Sequence, residues 1–406
     1  MAKTTKKQQS GVAVSIAAKA VVQALKLFGR FDSKVTFLRV HLGPTEVVFE
    51  ADDGSIRLRR TVPCSGEGVT PWSGSVNLKT FATTLNALKD TVQLVIETEK
   101  TGSKLCIVQD GKNFSLTADE AEPVKFLDTE GVQISAGILR RGFAKTMDFV
   151  GDGDLRPAMG GIKLQTVEGK LRFIATDGHV LSWYEALCDL GEATIDGIVP
   201  VEVASMVRNL SCESFVLSIQ NNVIGVTFDD GKLEGALIEE QYPNAKAIID
   251  QAVSANTSVA VISRGILEGV LRTSSVYAAP DSTVMFILGE NGGKVLTADV
   301  DFGAYMRERF AISGSGLQVQ IATMVNWKYV KLLLDTVDTD DVVVKFNPTG
   351  SDKAIIMTPS QQVDESHTLV VMPVRMLGAG VFSIPELKDD LVGIGPNKKV
   401  AAGAAA

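Results

Sequence analysis

The sequence predicts an α+β fold built from three tandem copies of one helix–strands–helix–strands unit. Two sets of amphipathic segments recur at near-constant intervals, and the β-branched runs between them are punctuated by tight-turn dipeptides. The first set is Val14–Arg30, Ile134–Val150 and Ile262–Ala279, whose starts lie 120 and 128 residues apart. The second is Val76–Asp90, Val201–Glu213 and Val325–Asp335, with starts 125 and 124 residues apart. In Val14–Arg30 the residues Val14, Ala18, Val21, Val22, Leu25 and Phe28 form an apolar stripe, with Lys19, Gln23, Lys26 and Arg30 opposite it.

The strand signal is carried by runs such as Val92–Glu97, Phe215–Ile219, Val223–Phe228, Val342–Phe346 and Ala354–Met357. Asp110-Gly111, Asp177-Gly178 and Asp230-Gly231 read as antiparallel hairpin turns, which favour residues tolerant of positive φ. Breaks at Glu122-Pro123, Asp128–Gly131 and Gln251–Asn256 set the boundaries. The expected organisation is a disordered basic N-terminus (1–12), three units (13–129, 130–254 and 255–376) and a partly disordered C-terminal extension (377–406). Within the extension, Val381–Ile394 carries apolar residues around Glu386–Leu391, a pattern able to pack on the third unit or fold over a cleft beside it.

At 406 residues, 45% apolar and 22% charged, the chain has material for several cores, and wholesale disorder is excluded. Four cysteines without a CxxC pair give neither a disulfide framework nor zinc spacing. The N-terminal MAKTTKKQQS followed by GVAVSIAA imitates a signal peptide, but its apolar run is short and is soon interrupted by Lys19 and Lys26. A soluble, cytoplasmic protein is expected, with no membrane segment. The net charge of −8 is unevenly spread: the six helical segments hold 13 Lys/Arg against 6 Asp/Glu, a net +7, which leaves −15 for the remainder. Basic helices in an acidic chain fit weak, sequence-independent contact with duplex phosphates.

Catalytic signals are sparse. Every Gly-Lys pair is followed by Asn, Leu or Val, so there is no phosphate-binding P-loop, and HExxH and GxSxG motifs are absent. Asp152-Gly153-Asp154 and Asp338-Thr339-Asp340-Asp341 read as turn formers rather than cation ligands. His179, beside Asp177, is the one candidate acid–base residue. A hydrolase would need it near a nucleophile such as Ser182. No metal or cofactor is expected.

Particular residues resemble a known family. Leu171–His179 (LRFIATDGH) looks like the "VATDGHRLA" hairpin of the bacterial DNA polymerase III beta subunit, the β sliding clamp. Val370–Met376 (VVMPVRM) resembles its closing "VVMPMRL", Gln241–Asn244 stands where it has "FPDY", and Gly111–Leu116 matches the late hairpin of its first domain. The resemblance spans Val14–Met376 and implies three clamp domains, with helices lining a ring and antiparallel sheets outside. It implies a head-to-tail homodimer, without catalysis of its own, that encircles duplex DNA. The ring would tether the DNA polymerase at the replisome and be loaded by an ATP-driven clamp loader.

Residue by residue, the resemblance places a partner-peptide cleft at Met159, Thr176, Gly178, His179, Val180, Leu181, Pro243, Ala247, Ile248, Val370, Met372, Pro373, Val374 and Arg375. Val180 and Ala247 replace basic residues of the family pattern, making the cleft less cationic. The DNA-facing candidates are Lys19, Lys26, Arg30, Arg140, Arg141, Lys145, Arg208, Arg264, Arg272, Lys328 and Lys331. Ring closure is expected to join Phe114 and Leu116 to Val276 and Tyr277. The alternatives are a clamp-fold scaffold or inhibitor that binds polymerase without encircling DNA, which the helix charge opposes, and the hydrolase using Asp177 and His179.

Overall fold

The structure, a computed structural model, describes residues 13–99, 102–128, 130–290, 292–312, 314–315, 320–348, 353–375, 380–392 and 394. The expected disordered segment 1–12, and residues 376–379 and 395–406 at the other end, lie outside them. The helices are α1 (Ala18–Leu25), α2 (Leu78–Asn86), α3 (Ala136–Thr146), α4 (Val201–Arg208), α5 (Ala245–Ala255), α6 (Arg264–Tyr277) and α7 (Trp327–Asp335). Six of them fall inside the six predicted segments.

The first-set helices start later than predicted, because strands Ala13–Ala17, Val132–Ser135 and Ser258–Ser263 run directly into α1, α3 and α6. Val14 and Ile16 are both buried, and their two-residue alternation continues into the helical stripe of Ala18, Val21 and Leu25. The seventh helix, α5, lies where the sequence reads as a boundary. The Asn244 side chain caps it by accepting from the Ala247 amide at 3.1 Å, and Ala245, Ile249 and Ala252 turn to the core.

Contacts divide the chain into two compact units, Met1–Arg140 with Glu202–Ile238 and Arg141–Val201 with Glu239–Ala406. The division runs through the middle third of the sequence because a sheet crosses each predicted boundary. In the first unit a 12-stranded sheet passes from Ile56–Ser65 to Gly231–Ala236, with Leu58 opposite Leu233. In the second a nine-stranded sheet passes from Val180–Leu187 to Glu365–Val371, with Leu181 opposite Val370. The second unit also holds a four-stranded sheet in the order Ala304–Phe310, Gly292–Asp299, Thr283–Gly289, Ile321–Asn326.

Of the three predicted turn dipeptides, only Asp110-Gly111 has both residues at positive φ. Gly178 alone does so in Asp177-Gly178. Gly231 is already a strand residue paired with Phe228, so the turn there is Asp229-Asp230. The cores are aromatic where helices meet sheet: Phe49 packs on Phe81 in the first unit, and Phe143 meets Phe173 edge-on at 5.4 Å in the second. No described helix is long and apolar enough to cross a membrane.

Candidate functional site

The Thr176–Val180 turn of the second unit is closed by its own side chains. Asp177 Oδ1 accepts from the amides of His179 and Val180 at 2.7 and 2.8 Å. Thr176 Oγ1 accepts from the Gly178 amide at 3.0 Å and donates to the Val180 carbonyl at 2.6 Å. This fixes His179 on the exposed side, where its ring stacks on Tyr329 of α7 with centroids 5.7 Å apart. Burial, and then the Asp177 carboxylate, push the Tyr329 phenol upward. Tyr329 has no motif in the sequence to announce it; only its position at the third residue of α7 sets it against the turn.

The Met372 amide donates to the His179 carbonyl at 2.8 Å, so the closing segment runs directly beside the turn. Beneath lies an apolar floor. Leu181 and Val370 are neighbours across the strand pair and pack with Ile174, Ala245, Ala252 and Ile356. Tyr242 covers this cluster and donates to the Ile174 carbonyl at 3.2 Å, with burial pushing its phenol upward.

The predicted cleft residues therefore separate by depth. Met159, Thr176, Val180, Leu181 and Val370 are buried, whereas Pro243 and Pro373 are half-buried. Gly178, His179, Ala247 and Arg375 are exposed, together with Ile248, Met372 and Val374, which are 42, 40 and 37% accessible. Exposed large apolar side chains on α5 and on the closing segment, with a buried apolar floor packed beneath both, are the chemistry that a short hydrophobic peptide requires. Val180 lies inside the sheet opposite Val371. Its side chain points to the face away from Leu181 and Val370, so it forms no part of the floor.

The hydrolase alternative finds no triad at this turn. The Asp177 carboxylate is spent on its turn, and Ser182 is buried away from His179. Ser182 Oγ donates to the Lys145 carbonyl at 2.8 Å and lies 2.9 Å from Nε2 of a different histidine, His367. Desolvation pushes His367 down to about 3. Asp152 Oδ1 likewise accepts from the Asp154 amide, as a turn former does.

The candidate helix cations also divide. Lys19, Lys26, Arg30, Arg208, Arg272, Lys328 and Lys331 are exposed, with Arg30 reaching Ser205 at 2.9 Å and Lys331 paired with Asp335 on its own helix. Four others are turned to protein groups. Arg140 donates to the Leu210 and Cys212 carbonyls at 2.7 and 2.8 Å, closing the end of α4. Arg141 is held by Glu365 and Asp338, each at 2.7 Å. Lys145 is buried against the Thr336 carbonyl and Asp338. Arg264 donates to the Val337 carbonyl at 2.6 Å. Adjacent helical positions point about 100° apart, so Arg140 and Arg141 cannot share one face.

Several described strands are open along one side, Val132–Ser135, Asp196–Pro200 and Ile321–Asn326 among them, and two more lie near the residues expected at the ring junction. Lys112–Glu120 pairs with Gly102–Gln109 along its length, but on its other side only Asp119 and Glu120 are paired. Ala304–Phe310 pairs with Gly292–Asp299 alone. Phe114 stands exposed on the first of these strands, while Leu116, 7% accessible, turns into the core and leaves Phe114 as the apolar side chain offered there. Val276 and Tyr277 are exposed at the end of α6.

Residues 133–244 match the family model described as DNA polymerase III beta subunit, central domain. A beta sliding clamp of Synechococcus elongatus is 23% identical over 271 residues, 64% of this chain and 70% of that protein. One from Treponema pallidum is 25% identical over 245 residues, 58% of this chain and 63% of that protein. The crystal structure of the DNA polymerase sliding clamp from Bacillus subtilis matches with a TM-score of 0.80 at 15% identity, covering 90% of this chain and all of that one. A Pseudomonas aeruginosa sliding clamp bound to griselimycin matches with a TM-score of 0.80 at 17% identity and the same coverage. The central-domain match, the relatives and the shared fold agree: residues 133–244 match the central domain of the DNA polymerase III beta subunit, and the chain is similar in sequence and fold to beta sliding clamps.

Proposed function

We propose that this chain is a DNA sliding clamp: two copies join head to tail into a ring around duplex DNA and tether the polymerase during synthesis. The observation that carries the reading is that two of the open strands, Lys112–Glu120 in the first third of the sequence and Ala304–Phe310 in the last, have Phe114 exposed on the first and lie in different thirds of the chain. An exposed edge is a liability for a monomer, and two different edges on one chain make a heterologous contact that closes when the rotation allows. Phe114, with Val276 and Tyr277, supplies the apolar contact at that junction.

The exposed cations Lys19, Lys26, Arg30, Arg208, Arg272, Lys328 and Lys331 face the DNA, where contacts must stay weak enough to slide. Arg140, Arg141, Lys145 and Arg264 instead brace the units from within. The apolar surface of Ile248, Met372 and Val374, flanked by His179 and Arg375, takes the polymerase's or an ATP-driven clamp loader's peptide. Lacking a basic residue at positions 180 and 247, it favours a peptide less acidic than is usual for the family.

The test is retention on nicked circular DNA in high salt, followed by release on linearisation. A ring survives salt and slides off the new ends. Loss in high salt from the closed circle overturns encirclement. It leaves the scaffold reading, in which polymerase is bound without DNA inside.

A further inference from the structure

The four-stranded sheet of the second unit is apolar on both faces. In Thr283–Gly289 the five residues Val284–Leu288 are all buried, whereas Phe37–Leu42 in the first unit shows the alternation of a sheet with one wet face. The second face consists of Met285, Ile287, Leu296, Ala298, Ala322 and Met324, and residues 380–392 with Ile394 cover it. Val381, Ile384, Leu387 and Leu391 from two 3₁₀ turns, Gly380–Ser383 and Pro385–Leu391, are buried there. Asp390 fixes the far end. Its side chain is 6% accessible and accepts from Lys294 Nζ at 2.6 Å and Arg307 Nη1 at 2.8 Å. Lys294 belongs to the inner strand Gly292–Asp299 and Arg307 to the open strand Ala304–Phe310. One carboxylate therefore ties the edge strand to its neighbour from above.

We propose that residues 380–392 are a strap that holds the open strand Ala304–Phe310 in its pairing geometry, so that this segment sets how long the head-to-tail junction stays closed. The inference rests on the ring reading above. An edge strand bonded on one side only is prone to fray, and fraying removes the template that the second copy's Lys112–Ala118 must find. The Asp390 ion pairs oppose this without touching the pairing edge, because Arg307 projects from the sheet face while the free backbone groups lie in its plane.

Asp390→Asn removes the charge and keeps the shape. The experiment tracks subunit exchange between two differently labelled populations of the full chain, and amide hydrogen exchange of Ala304–Phe310. Both are expected to quicken about tenfold in Asp390→Asn, from the loss of two charge-assisted hydrogen bonds, while exchange in Phe37–Leu42 of the first unit is unchanged. A wild-type dimer whose subunit exchange and edge-strand amides are the same in Asp390→Asn overturns the strap. A wild-type chain that sediments as a monomer at micromolar concentration overturns the ring reading and, with it, the strap's role at the junction. Leu387→Ala, which thins the buried contact and leaves Asp390 in place, is expected to quicken both exchanges in the same sense; no change in either also counts against the strap.

Discussion

Glu50 is almost fully buried, yet it accepts from Arg59 Nε at 2.6 Å and the Val124 amide at 2.7 Å and bonds with His41 Nε2 at 3.0 Å. Burial pushes its carboxyl up, but the bonds from His41, Val124 and Arg59 together outweigh it and hold the group below its ordinary value. Glu234, also buried, accepts from the Leu127 amide at 2.8 Å. These two carboxylates pin the Val124–Leu127 segment, which in the sequence reads only as a boundary after Pro123. With the folded value depressed, Glu50's contribution is complete above the ordinary carboxylate range and is lost as pH falls through the folded value. Glu50→Gln is expected to cost about 1–3 kcal/mol at neutral pH. Denaturant unfolding at pH 7 and pH 4 should also show a weaker acid dependence in the variant than in the wild type. Met372 is the opposite case, an exposed apolar side chain whose truncation leaves the fold alone. Met372→Ala is expected to weaken a hydrophobic clamp-binding peptide about tenfold, from the area it no longer covers, and unchanged affinity by titration removes Met372 from the cleft. At this scale the sequence told residue types better than directions: that Leu116 and Arg140 turn inward depends on strand pairing and helix phase, which no single position reports.

Elements were more legible, because helical periodicity averages over many residues. What periodicity misjudged were the joins, where a buried strand such as Ala13–Ala17 enters a helix without a break in the apolar pattern. α5 escaped because its inward face is two alanines and one isoleucine, too thin a stripe to stand out beside Gln251–Asn256. Helix α3 shows what such patterns leave out. A Cβ at Gly142 would come within 2.3–2.5 Å of the Phe173 ring, whereas at Gly137 its nearest neighbour is Ser135 Oγ at 3.5 Å. Alanine is the better helix former by about 1 kcal/mol, so Gly137→Ala is expected to be neutral or stabilising. At Gly142 the clash wins, because Phe173 is wedged between Phe143 and Tyr184 and has no room to retreat. Gly142→Ala is expected to destabilise by about 1–3 kcal/mol, read as a lower denaturant midpoint. Equal midpoints for the two variants would show that the ring yields.

Across the whole molecule, the sequence repeats three times while the contacts form two units, and both descriptions are physical. The repeat records a recurring helix–strands pattern. The units record that sheets ignore the repeat boundary, passing from Leu58 to Leu233 and from Val370 to Leu181. Register between strands far apart in sequence is invisible to a reading of local pattern, so the junctions could not be found in advance. The charge balance was visible from the start: a chain of net −8 keeps exposed Lys19, Lys26, Arg30 and Arg208 on or next to α1 and α4. In a ring these contacts govern residence and sliding, whereas topology governs retention. Replacing all four by glutamine is expected to lower the slope of log affinity against log salt for linear DNA by about three to four. The same variant should still be held on nicked circles in high salt, since no phosphate contact is needed to stay threaded. Equal loss of both, in circle retention and in linear-DNA titrations, would mean that charge and not closure holds the protein on DNA.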